Sequence, residues 1–200
     1  MSNSKQNMQT LQELLPDQST IKEIPCARDM IKTYLCKMKG GKCTNTIQIN
    51  WPGVLLTALG SFAGVGLVAY LAFFYNLPLL FPSLGASAVL LYAACHVPMA
   101  QPRNVMGGHL ISALVGVGTY QLLGMEWWTL SLGVTLAIVA MVVTQTLHPP
   151  GGATAFLAIY TGQGIGFVFS PVGTGVLCLV IIALLVNNLS SRRKYPEYWF

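Results

Sequence analysis

The chain has 200 residues, of which 54% are hydrophobic and only 8% charged, with eleven Lys and Arg against six Asp and Glu for a net charge of +5. An ordinary globular domain carries about three times that share of charge. Between Trp51 and Leu189 the only charged residues are Arg103 and Glu126, which excludes a soluble core and predicts an all-α membrane protein.

The positive charge lies in the tails and one loop, so the expected partner is a lipid bilayer and not a nucleic acid. The first fifty residues lack an apolar h-region and hold acidic residues with little arginine, so neither a secretory signal nor a transit peptide is expected. Cysteines 26, 36, 43, 95 and 178 show no CxxC spacing and predict neither a zinc site nor a disulfide framework. No metal or other cofactor is expected.

In chain order, residues 1–27 are polar and irregular, a tail without a core of its own. Over residues 28–40 the residues Met30, Ile31, Tyr34, Leu35 and Met38 share one helical face opposite Lys32, Lys37 and Lys39. That pattern suits a helix lying on an anionic membrane surface, or one packed on its own membrane domain. Trp51-Pro52 marks an interface, and residues 53–75 predict a first full membrane helix. Its Gly60 and Gly64 permit close helix packing, and the spacing carries no statement about oligomers; a homo-oligomer stays open. A short helix is expected from Pro82 to about His96, rising roughly 20 Å against a hydrocarbon core of ~30 Å. A third segment runs from about Asn104 to Leu123 and a fourth from Trp127-Trp128 to about Leu147. A second short helix starts at Pro149 and runs toward Tyr160, and a sixth segment spans about 171–189. Residues 51–190 thus form the membrane domain, and a basic, aromatic tail occupies 191–200.

The two short helices share a pattern. Phe81-Pro82-Ser83-Leu84-Gly85-Ala86-Ser87-Ala88-Val89-Leu90 aligns with His148-Pro149-Pro150-Gly151-Gly152-Ala153-Thr154-Ala155-Phe156-Leu157, and Val105, Gly108 and Leu110 align with Val172, Gly175 and Leu177 at the same offset. The chain reads as two three-segment repeats, each with a short helix interrupted by proline and glycine: four long helices plus two short ones. If all six segments cross, every Lys and Arg lies on one side, which the positive-inside rule makes cytoplasmic. If the short segments are re-entrant, Arg103 and Glu126 change sides, a poorer fit. Three crossings per unit invert one repeat relative to the other, and inverted repeats with matched broken helices are a transporter's pattern. Whether His148 lies at mid-membrane depth or near the cytoplasmic surface stays open.

Proline lacks an N–H and is tolerated in a first helical turn. The free N–H groups of the second short helix are expected from Gly151, Gly152 and Ala153. Two such helix starts facing each other offer a donor-rich site for a small anion, with Ser83, Gly85, Ser87, Gly151, Gly152 and Thr154 around it. The competing reading is that these small residues serve close packing. His148 would donate to an anion or take up a proton. His96 and His109 read as interface or packing residues. Arg103 either draws anions to the cytoplasmic mouth or enforces topology. Gln145, Asn104 and Asn187 are further amides that could line a path.

Two stretches carry a family resemblance. One runs from Gly85-Ala86-Ser87-Ala88-Val89-Leu90-Leu91 through Ala100-Gln101-Pro102-Arg103-Asn104-Val105 to Gly108-His109. The other is Leu147-His148-Pro149-Pro150-Gly151-Gly152-Ala153-Thr154-Ala155. They resemble the HPP family of integral membrane proteins, named for His-Pro-Pro and usually described with four membrane helices. Some members carry nitrite, so the resemblance implies a multi-pass transporter of a small monovalent anion, nitrite foremost, in the plasma membrane with both termini cytoplasmic. No catalytic set is recognised and an enzyme is not expected. The alternatives are a histidine-dependent membrane enzyme or haem protein, and a regulatory or scaffold protein without flux. No ATP-binding motif is present.

Overall fold

Prolines set most of the helix starts. The computed structural model describes residues 32–34, 37, 38 and 49–199. The polar tail 1–27 and most of the amphipathic segment 28–40 lie outside the described residues. Of that segment, Lys32–Tyr34 and Lys37–Met38 are helical and exposed; they belong to a first unit, and a second begins at Ile49.

The second unit is helical throughout its regular structure. It comprises α1 Trp51–Tyr75, α2 Pro82–Ala93, a 3₁₀ turn Pro98–Ala100, α3 Pro102–Leu123, α4 Trp127–Val143, α5 Pro149–Tyr160, a kinked run Val168–Gly173, and α6 Thr174–Asn187. Helices α1, α2, α3 and α5 each carry proline in the first two positions, where the missing N–H leaves no bond unmade. Helix α4 instead starts with a capping box: the backbone N–H of Glu126 donates to Thr129 Oγ1 at 2.8 Å while the Glu126 carboxylate accepts from the helix.

Three boundaries differ from the sequence expectation. Helix α2 ends at Ala93, not near His96, because Ala94 leaves helical geometry and Gln101 Nε2 donates to the Cys95 and Val97 carbonyls, holding a turn. Helix α4 stops at Val143, not near Leu147. Thr144 Oγ1 bonds the Ala140 carbonyl, and Gln145 adopts the left-handed region at φ 55°. The chain therefore has five residues to turn before α5. The sixth segment is continuous from Val168 to Asn187 but kinked at Ser170, beside Pro171, which has no N–H to give.

Helix α1 shows what solvent the fold was built for. Of its 25 residues only Gly60, Gly64, Val68 and Ala72 are buried, a stripe of small residues at four-residue spacing. Its large apolar side chains point outward, with Phe62 84% exposed and Phe73 74%. A soluble helix buries its large residues; here hydrocarbon takes that place. By length and composition α1 and the run Val168–Asn187 suffice to cross a membrane. The glycine stripe receives the ring of Tyr92 from α2: a Cβ on Gly60 would meet Tyr92 Cδ1 at 2.8 Å. Tyr92 in turn donates to the Leu179 carbonyl of α6 at 3.0 Å, so the Gly60 and Gly64 spacing serves packing within the chain.

Helix α1 packs on α2 and α6, and α4 packs on α5 and α3. The most extensive helix contact in the unit is between α3 and α5. A Cβ on Gly108 would stand 2.5 Å from His148 Cβ and 2.9 Å from the Thr146 carbonyl oxygen, and one on Gly151 would stand 2.8 Å from Ser112 Oγ. Only glycine lets these backbones meet. The C-terminal segment folds back onto the bundle, where the buried Tyr195 hydroxyl donates to the Ala100 carbonyl at 2.8 Å. Burial holds that hydroxyl well above the usual tyrosine range, so it stays protonated as a donor.

Candidate functional site: a buried chain of hydroxyls and imidazoles

The glycine contact of α3 with α5 brings His109 and His148 side by side, ring centroids 4.9 Å apart. Helix α2 supplies what lies between them. Ser87 Oγ is 2.7 Å from His109 Nε2 and 2.8 Å from His148 Nε2. On the other flank of His109, Nδ1 lies 2.8 Å from Thr154 Oγ1, which lies 2.9 Å from Ser83 Oγ. At the far end His148 Nδ1 meets the Met99 carbonyl at 2.8 Å. Ser83, Ser87, His109, His148 and Thr154 are all buried. Five side chains from α2, α3 and α5 form one continuous line.

The direction of every bond in this line follows from its end. A carbonyl only accepts, so His148 carries its proton on Nδ1. With both imidazoles neutral, His148 Nε2 accepts. Ser87 then donates to it and accepts from His109 Nε2–H. His109 Nδ1 accepts from Thr154, and Thr154 accepts from Ser83. The Ser87 hydroxyl also lies 3.0 Å from the Ser83 carbonyl, but giving its proton there would strand His148 Nε2. One assignment satisfies every atom: Ser83 to Thr154 to His109 to Ser87 to His148 to Met99. Among the described residues no buried side-chain nitrogen or oxygen lacks a partner. A hydrogen-bonded line of this kind passes a proton by successive handovers, each group accepting on one side and releasing on the other.

The helix starts are poorer in free donors than the sequence suggests. Pro149 and Pro150 have no N–H, and the Gly151 N–H donates to the His148 carbonyl at 2.9 Å. At α2 the Leu84 N–H is taken by the Phe81 carbonyl at 3.1 Å. The polar character of the centre comes from side chains.

Of the residues singled out from sequence, Ser83, Ser87, Thr154 and His148 come together. Gly151 lies directly beneath them as the packing contact with α3. Gly85 is exposed and Gly152 half-buried, and a Cβ on either would meet open space. Arg103 does not reach the line: it donates to the Thr144 carbonyl at 3.3 Å, at the C-terminal end of α4. Asn104 Nδ2 bonds the Leu147 carbonyl at 3.1 Å, and Asn187 Nδ2 bonds the Leu91 and Ala183 carbonyls at 3.0 Å, so both hold turns or helices in place. Gln145 and His96 are exposed.

His109 is the member that sequence reasoning assigned to packing. A signal was present. Val105, His109, Ser112 and Gly116 fall three or four apart on α3, and a buried polar face on an otherwise apolar helix marks side chains that need partners.

Comparison with known proteins agrees with the geometry. The transmembrane region of the HPP family matches residues 47–196. A transmembrane protein of Dictyostelium discoideum is 36% identical over 179 residues, covering 84% of this chain and 57% of its own length. A second from the same organism is 36% identical over 166 residues, covering 76% and 56%. The chain thus spans little more than half the length of these relatives. No solved structure matches it. With three quarters of its residues inside that region, this chain is a transmembrane protein of the HPP family.

Proposed function

We propose that the chain is a multi-pass carrier of a small monovalent anion, with nitrite the first candidate, and that it moves the anion together with a proton. The observation that carries this reading is Ser87 bridging two imidazoles where α2, α3 and α5 meet. In the neutral state every donor is used within the line. A proton added to His148 turns its Nε2 into a donor. Ser87 must then donate to His109 Nε2, His109 Nδ1 donates to Thr154, and Thr154 donates to Ser83. The Ser83 hydroxyl is freed to donate outside the line. One event creates a buried positive charge and a spare O–H, which together suit a small anion. Without the proton the site has neither.

The packing pattern supports the carrier architecture. Exchanging α1 with α4, α2 with α5 and α3 with α6 turns one set of neighbours into the other, as two inverted three-helix units would require. Arg103 and the tail with Arg192, Arg193 and Lys194 sit at the same end, since Tyr195 bonds Ala100 three residues from Arg103. The positive-inside rule makes that end cytoplasmic, in a plasma-membrane protein with both termini inside.

The test is nitrite uptake into proteoliposomes with a pH gradient on and off. Uptake that follows the gradient, and loses that dependence in Ser87→Ala and His148→Ala, supports proton-coupled carriage. Folded protein that takes up no nitrite, nitrate or formate overturns the anion reading. The histidine pair also raises a haem reading, since facing imidazoles can share an iron. Here Ser87 Oγ occupies the place between the two Nε2 atoms, and a missing Soret band in purified protein would dispose of it.

A further inference from the structure

At the end of the bundle that carries the positive residues, α1 begins beside the C-terminal segment, and a cavity of about 620 Å³ opens between them. Its lining includes Asn50, His96, Arg192, Arg193, Lys194 and Glu197. Three permanent cations face one carboxylate. The half-buried Arg193 is the floor. Its Nη1 donates to the Tyr92 carbonyl at 2.9 Å and to Asn187 Oδ1 at 3.0 Å, and its Nη2 donates to the Gly53 carbonyl and Thr57 Oγ1, both at 3.0 Å. All four terminal N–H groups end on neutral oxygens. The guanidinium is fixed, and its charge is left for something in the cavity to balance. Helix α1 adds to this. Asn50 at its N-cap makes no side-chain capping bond, so the positive end of a 25-residue helix faces the same space. Arg192 and Lys194 are exposed beside Arg193, and the hydroxyls of Ser190 and Ser191 complete a donor set around a concave surface.

The geometry points to a binding site for a phosphate group at this cavity, distinct from the buried histidine line. Two mobile cations, hydroxyls and a helix start are the donors that recognise phosphate oxygens, and the fixed guanidinium adds its charge beneath them. The phosphate comes either from the headgroup of an anionic lipid, whose acyl chains would run along the exposed apolar face of α1, or from a soluble phosphate compound.

Native mass spectrometry of the full chain in neutral detergent tests this, with phosphatidic acid, phosphatidylcholine and inorganic phosphate as probes. Arg193 is left intact because it ties three helices. Retention of phosphatidic acid over phosphatidylcholine, weakened about 30-fold in Arg192→Gln/Lys194→Gln, is the expected result. Removing the opposing carboxylate in Glu197→Gln should strengthen it. Displacement of the lipid by millimolar inorganic phosphate assigns recognition to the phosphate alone, and retention against it assigns a lipid headgroup; either fits the site. Equal retention of both lipids with no binding of inorganic phosphate overturns the proposal. So does an equal loss in Lys32→Gln/Lys37→Gln, which removes the same charge elsewhere and would show general surface attraction only.

Discussion

The starts of α2 and α5 are alike in sequence and unlike in chemistry. Each begins with proline, runs 12 residues and turns a small hydroxyl inward, Ser87 from one and Thr154 from the other. At the residue before the proline they part. On α2 it is Phe81, whose ring meets Phe167 with centroids 6.2 Å apart. On α5 it is His148, bonded to Ser87 and Met99. The long helices differ in the opposite sense, since His109 of α3 aligns with Val176 of α6, both fully or almost fully buried. The two imidazoles are thus divided between the matched halves of the sequence, His109 in the first and His148 in the second, each at a position where the other half is apolar. In the proposed carrier a symmetric frame would have two mirrored arrangements, and imidazoles at non-equivalent positions would give them different affinities for a proton. The frame and the chemistry are therefore separable, and substitutions can address each.

The largest effect is expected where α5 is made to match α2. His148→Phe removes two hydrogen bonds, takes from the Met99 carbonyl its imidazole donor and turns the Ser87 hydroxyl to the Ser83 carbonyl at 3.0 Å, which costs about 2–4 kcal/mol. It should abolish gradient-driven uptake even in protein that remains folded. Unfolding in detergent and proteoliposome flux read the two effects separately, and a variant with wild-type flux would remove His148 from the path.

Next come the matched glycines. Gly108→Ala drives a methyl into His148 Cβ and the Thr146 backbone, and should cost about 3 kcal/mol. Gly175→Ala meets Leu84 Cδ1 at 2.5 Å, the free end of a side chain, and a rotamer shift should limit the cost to about 0.5–1.5 kcal/mol. Thermal unfolding of the two variants decides it; equal losses would mean the two halves are packed alike after all.

A smaller effect than at Gly108 concerns the Ser83 end. Thr154→Val keeps the shape and removes one hydroxyl, leaving His109 Nδ1 without its donor. A loss of about 1–2 kcal/mol is expected, with nitrite uptake slowed and its pH dependence flattened. Unchanged pH dependence would shorten the working line to His109, Ser87 and His148.

Much of the frame was readable from the residues. Pro82, Pro102 and Pro149 mark helix starts because a missing N–H is harmless only there. The absence of charge from Trp51 to Leu189, Arg103 and Glu126 aside, names the solvent. The ends of helices were less readable. They depend on bonds from afar, as where Gln101 reaches back to Cys95 after α2, and the turn after Val143 rests on a left-handed Gln145 that no glycine advertises. Ser87, Thr154 and His148 could be picked out because they stand in a repeated motif. His109 could not be joined to them by counting, since Gly108 and Gly151 set that meeting by how closely two helices approach. Of the three donors expected at the start of α5, Gly151, Gly152 and Ala153, the first is taken by the His148 carbonyl one turn back, a bond that residue types do not reveal.

The bond from Tyr195 to Ala100 has a practical consequence. Ala100 follows Met99, and the Met99 carbonyl fixes the tautomer of His148. The C-terminal segment is therefore wired to the imidazole through two adjacent peptide groups. A fluorophore attached near Tyr198, which is exposed, would sit on a lever whose other arm is the loop beneath His148. If His148 takes up a proton as proposed, the fluorophore's emission should report that step in real time, with no label inside the bilayer. A bulky fusion pulling on the same segment would bias that step before any substrate is added.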